Sequence, residues 1–139
     1  MADPYDLQRF VDAQAPTYMQ VCAELRAGRK KSHWMWFVFP QIAGLGHSDM
    51  ARRFAISSRA EAEAYLAHEI LGPRLEDCTR LVNQIDGCTA HEIFGSPDDL
   101  KFRSSMSLFA AVSSRASVFN SALQKYFGGQ ADPITLGRL

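Results

Sequence analysis

Trp34, Met35, Trp36, Phe37, Val38 and Phe39 are six consecutive large apolar residues, and a surface element cannot take such a run. An element with one wet face would interrupt it with polar residues, so this one must be covered on every side. At this length periodicity does not choose between a central strand and a buried helix. The chain offers no second segment of comparable strand-forming quality to pair with it. The run is therefore read as a buried helix, ended by Pro40. The chain can supply the cover: it has 139 residues, 47% of them hydrophobic. A domain of about that size buries roughly 70% of the surface its unfolded form exposes. The run falls far below the ~20 residues that span a bilayer. Met1-Ala2-Asp3-Pro4-Tyr5-Asp6 has neither the basic nor the apolar stretch of a secretory signal. Cys22, Cys78 and Cys88 are odd in number and lack a Cys-x-x-Cys spacing, so they read as reduced thiols. A cytoplasmic protein with no membrane association is expected.

The rest of the chain reads as helix almost throughout. Leu7, Phe10 and Val11 make a short amphipathic segment, and Pro16 suits the first turn of the next. There Tyr18, Val21, Cys22 and Leu25 form one stripe, closed by Gly28. Ser58 and Glu61 spell a capping box ahead of Ala62, Tyr65, Leu66 and Ile70. Gly72-Pro73 is expected to interrupt that helix before Leu75, Cys78, Leu81, Val82 and Ile85 form the next core face. Thr89 and Glu92 form a second capping box, for a helix stopped by Gly95. Ser96-Pro97-Asp98-Asp99 then offers a serine cap, a proline at the first position and two acids at the positive end of the helix dipole. That helix should run to about Val112. A last one carries Val118, Phe119, Ala122, Leu123, Tyr126 and Phe127, and Gly128-Gly129 ends it. The expected fold is all-α: one multihelical domain over residues 1–139, of about six or seven helices with the central ones buried. Residues 130–139 are expected as an extended arm.

Net charge is zero, which excludes a uniformly basic binder of nucleic-acid polymers. The distribution is uneven. Between Arg26 and Arg59 seven basic residues face only Asp49, so an anionic partner would most readily settle there. Within this window Gly44-Leu45-Gly46 leads into Ser48, which caps a short helix from Asp49 to about Ile56. A glycine turn feeding a helix start exposes backbone N–H groups suited to an anion. Lys31 and His33 precede the apolar run and Arg52 follows the turn, while Trp34 could wall a pocket. Further along, Lys101, Ser104 and Ser105 share one helix face. The candidate ligand-binding residues are thus Lys31, His33, Trp34, Gln41, Gly44, Gly46, Ser48, Arg52, Lys101, Ser104 and Ser105. The expected ligand is small and anionic, phosphorylated or nucleotide-like.

No reaction is specified. Both His-Glu pairs lack the second histidine of a zincin, and four unclustered histidines predict no metal site. A Walker sequence and a Gly-x-Gly-x-x-Gly fingerprint are both missing, and Gly46-His47-Ser48-Asp49-Met50 lacks the closing glycine of a nucleophile elbow. Whether the chain is an enzyme stays open, as does any cofactor; His33 is the best candidate for a general acid or base. The alternative reading is a non-catalytic protein-interaction module, monomeric or homodimeric.

The stretch from Lys31 to Gln41 followed by Gly44-Leu45-Gly46-His47-Ser48 is distinctive. Together with Leu71-Gly72-Pro73-Arg74-Leu75, Ile93-Phe94-Gly95 and the run Asp99 to Phe109, it resembles a bacterial domain family of unknown function. The resemblance spans about Leu7 to Tyr126. It implies a small multihelical protein whose long central helices are buried, and it transfers no catalytic residue. Some members carry the name calpastatin, which implies a disordered, aromatic-poor protease inhibitor. A chain with 11% aromatic residues does not fit that description.

Overall fold

The computed structural model describes residues 2–139 as ten helices. They are α1 (Gln8–Gln14), α2 (Tyr18–Arg26), α3 (Met35–Val38), α4 (Asp49–Arg53), α5 (Arg59–Ala67), α6 (Leu71–Asn83), α7 (Ala90–Phe94), α8 (Asp98–Ala111), α9 (Val118–Phe127) and α10 (Pro133–Gly137). Among the described residues no strand forms, and Ile42 and Ile56 meet in a single parallel bridge. The all-α expectation holds, with more and shorter helices than the six or seven foreseen.

The apolar run is buried as its composition demands, apart from half-buried Trp36, but only one turn of it is helical. Phe39 has left the helical region at φ −123°, ψ 73°, as proline disfavours helical geometry in the residue before it, so α3 stops at Val38. The buried central element is α8 instead. Phe102 and every residue from Ser104 to Phe109 are inside, because α3, α5, α7, α9 and α10 all pack against it. Ser104, Ser105 and Ser107 are small enough to let those neighbours approach. The Phe102 ring stacks on Phe94 at 4.6 Å and meets Phe39 edge-on at 5.1 Å. A second aromatic group joins Phe10, Tyr65 and Phe109.

Several boundaries differ from expectation for local reasons. Pro16 lies in the turn before α2, whose N-cap is Thr17. Gly72 and Pro73 do not break a helix; they sit in the first turn of α6. The break falls earlier, at His68, whose Nδ1 accepts from the backbone N–H groups of Ile70 and Leu71 at 3.1 and 3.2 Å and so caps α6. Ile70 is accordingly exposed. Gly72 carries no side chain because a Cβ would stand 2.2 Å from the Leu66 carbonyl oxygen. α8 begins after Pro97 rather than after Ser96, and α4 ends at Arg53 rather than Ile56. The Thr89–Glu92 capping box forms in full. Residues 133–137, expected within an extended arm, fold into α10 and lie on α8.

Candidate functional site

Glu24 organises the chain ahead of the apolar run. It lies on the buried side of α2, and its carboxylate accepts from the backbone N–H groups of Lys31 and Ser32 at 2.6 and 2.9 Å. It also accepts from Ser32 Oγ, Trp34 Nε1 and Gln20 Nε2. Burial alone would raise its pKa, but donation from the Ser32 hydroxyl and the Lys31 and Ser32 amides outweighs that and holds it at about 2. The loop is therefore fixed from inside. Trp34 is 1% exposed with its indole N–H bound to Glu24, so it belongs to the core rather than to a pocket wall.

The second organising group is Asp98, in the first turn of α8. Its two oxygens take Lys30 Nζ at 2.8 Å and Lys101 Nζ at 3.4 Å. Each ammonium also rests on an indole: Lys30 lies 5.1 Å from the Trp34 ring centre and Lys101 5.4 Å from that of Trp36. Lys30 is nearly enclosed, and its backbone N–H bonds the Ile93 carbonyl at 2.7 Å. Lys101 and Trp36 stay half-exposed. They form a cation-and-ring surface open to solvent.

Gln41, Gly44 and Gly46 share a recess with Trp36, Ile42, Ala51, Phe54 and Ala55. Its free volume is about 10 Å³, room for at most one water. Gly44 has φ +97°, and the Arg138 guanidinium lies where a Cβ at Gly44 would be, 2.4 Å from that position at Nη1. Ala51 crowds Gly46 in the same way. Ser48 caps α4, its Oγ accepting from the Ala51 N–H at 3.1 Å, so the turn and the helix start are as expected. Lys31, His33 and Arg52 are exposed, and among the described residues none makes a side-chain hydrogen bond or ion pair. They do not converge on one cavity. Ser104 turns away from Lys101 and donates to Asp132 at 3.1 Å. Ser105 is fully buried, and its hydroxyl has no partner among the described residues.

Of the residues picked out from sequence, then, Gln41, Gly44 and Gly46 come together, and Lys101 joins them through Trp36. Trp34, Ser104 and Ser105 lie in or against the core. Sequence reasoning missed four participants: Glu24, Trp36, Asp98 and Arg138. Glu24 had one available signal, a carboxylate beside the Val21-Cys22-Leu25 stripe. A larger cleft of about 500 Å³ lies behind this surface, lined by Arg29, Lys30, His91, Glu92 and Gly95. Two of its polar groups are already engaged: Lys30 binds Asp98, and His91 Nδ1 sits 3.3 Å from Asp99. The Cys78 thiol is pushed up to about 12, first by burial and then by neighbouring Cys22, which makes it a poor nucleophile.

A family model described as "Protein of unknown function (DUF1810)" matches residues 4–139. Among solved structures, the chain is similar to the conserved hypothetical protein Rv1873 from Mycobacterium tuberculosis. The two share 58% sequence identity and superpose with a TM-score of 0.97, over 99% of this chain and 98% of the other. No curated protein matches significantly.

Proposed function

We propose, from the premise that this chain belongs to the DUF1810 family of proteins of unknown function, that it binds a small anionic ligand bearing a flat ring. The ligand rests on the open part of Trp36, beside Gln41, Gly44 and Gly46, with its charge toward Lys101. The observation that carries this reading is the half-exposed indole with an ammonium 5.4 Å from its centre, next to a glycine turn. An aromatic ring supplies area for stacking and a cation supplies charge, which together select a ring-bearing anion such as a nucleotide over a plain ion. The recess itself is too small for a ligand, so binding is on its rim. Lys31 and Arg52 contribute an attractive field rather than contacts. Among the described residues no side-chain hydrogen bond orients His33, so the reading is of binding without an assigned reaction.

The test is a thermal-shift screen of mononucleotides, NAD, ADP-ribose, sugar phosphates and inorganic phosphate. A ligand at 100 times its Kd adds about 2.7 kcal/mol, enough for a shift of several degrees. A shift with nucleotides that is lost in both Trp36→Leu and Lys101→Ala supports the site. A shift that survives both variants places the ligand elsewhere. The second reading, a non-catalytic interaction module, is favoured by the dispersal of Lys31, His33 and Arg52 over exposed positions. It gains if the whole panel is silent.

A further inference from the structure

We infer that residues 130–139 form a detachable strap that delivers Arg138 to the Trp36 surface as a second anion-holding group; this rests on the ligand reading above. The way α10 is held makes the case. Its two large apolar residues, Ile134 and Leu136, point outward at 61% and 47% exposure, while Thr135 is the buried one. A helix docked by the hydrophobic effect would face the other way. Apolar contact with the core is confined to Ala131 and Leu139 at the ends of the segment, and polar contacts hold the stretch between them. Arg103 donates from Nε to the Gln130 carbonyl at 3.0 Å and from Nη2 to the Ala131 carbonyl at 3.1 Å. The Asp132 N–H bonds Ser107 Oγ at 2.8 Å. The Asp132 carboxylate accepts from Ser104 Oγ at 3.1 Å and Thr135 Oγ at 2.6 Å. Such contacts exchange with water at small net cost, and with only Ala131 and Leu139 touching the core the strap can open ahead of global unfolding.

What the strap carries is Arg138. Its guanidinium lies against Gly44, a residue of the same recess as Trp36, in the space a side chain there would take. Among the described residues no acceptor takes any of its N–H groups. Arg138 is exposed and its guanidinium donors are free to take an anion. Lys101 over the Trp36 ring and Arg138 against Gly44 then bring two cations to one recess. Ligand binding and strap docking must favour each other, since linkage is reciprocal.

Quenching of Trp36 fluorescence tests this without any ligand, using iodide as an anionic probe and acrylamide as a neutral one. Trp34 is buried, so Trp36 reports, and Trp36→Phe should abolish most quenching. In Arg138→Gln we expect the iodide quenching constant to fall about twofold while the acrylamide constant holds, because one local positive charge is gone. An unchanged iodide constant would overturn the delivery of Arg138. In Asp132→Asn, exchange of the 130–139 amides should accelerate and iodide quenching should drop to the Arg138→Gln level. If neither changes, the strap is not held as inferred. Arg103→Gln, which removes only the two carbonyl contacts, replaces Asp132→Asn if that variant does not fold. A silent ligand screen with an Arg138-dependent iodide effect removes the ligand reading but not the strap.

Discussion

Glu24 shows how one buried carboxylate can set a loop. Five donors converge on it from Gln20, Lys31, Ser32 and Trp34. Its pKa is about 2 in the folded protein against an ordinary 4.5. A depressed carboxylate stabilises the fold above its unfolded pKa and loses that contribution as pH falls through the folded value. Roughly 3 kcal/mol should therefore disappear between about pH 4.5 and pH 2. Urea unfolding at a series of pH values checks this. Glu24→Gln should be less stable at pH 7 and should show a flatter pH dependence across that window; an equally steep one would rule Glu24 out as the source. Its one sequence signal, a place beside the apolar stripe, was easily passed over because a glutamate there reads as solvated. Only the fold brings four backbone and side-chain donors from residues 31–34 onto it. Asp98 was read as an acid suiting the helix dipole, which is true locally. Its partner Lys30 lies 68 positions earlier, beyond any local rule.

At the scale of elements, what was legible was local chemistry. Thr89, Glu92 and Gly95 define α7 within seven residues, and the structure places all three as expected. Replacing Thr89 by alanine should cost about 1 kcal/mol, read as a lower denaturation midpoint at an unchanged slope. The α5–α6 junction was misread because its cap is a histidine ring, a residue outside the usual capping set, and because Gly72 is required by a neighbour rather than by a turn. Gly72→Ala would drive a methyl group into the Leu66 carbonyl. A loss of about 1–3 kcal/mol is expected, since neither backbone can yield freely. Gly44→Ala meets two obstacles, a left-handed φ and the Arg138 guanidinium. It should weaken iodide quenching of Trp36 as Arg138→Gln does, with an added stability loss of about 1 kcal/mol. The apolar run illustrates the opposite case. Its burial was dictated by composition, while its helix length was decided by Pro40 and by the packing of α8.

At the scale of the molecule, one core joins almost every helix, and α8 threads it. Phe102 touches aromatic neighbours from the apolar run, α7 and α9. Phe102→Ala should cost about 3–5 kcal/mol. Because the core is shared, heat or urea should unfold the protein in a single step, with tryptophan fluorescence and far-ultraviolet circular dichroism changing together. Amide exchange of residues 130–139 should stand apart from that step, as the strap adds little to the core.

The inward grip on residues 31–34 separates two roles that most loops combine. Backbone shape there answers to Glu24, whereas the Lys31 and His33 side chains answer only to solvent. The segment is a cassette: its two outward letters can be rewritten while the frame that displays them keeps its form. A library varied at positions 31 and 33 would sample surface chemistries on a constant scaffold.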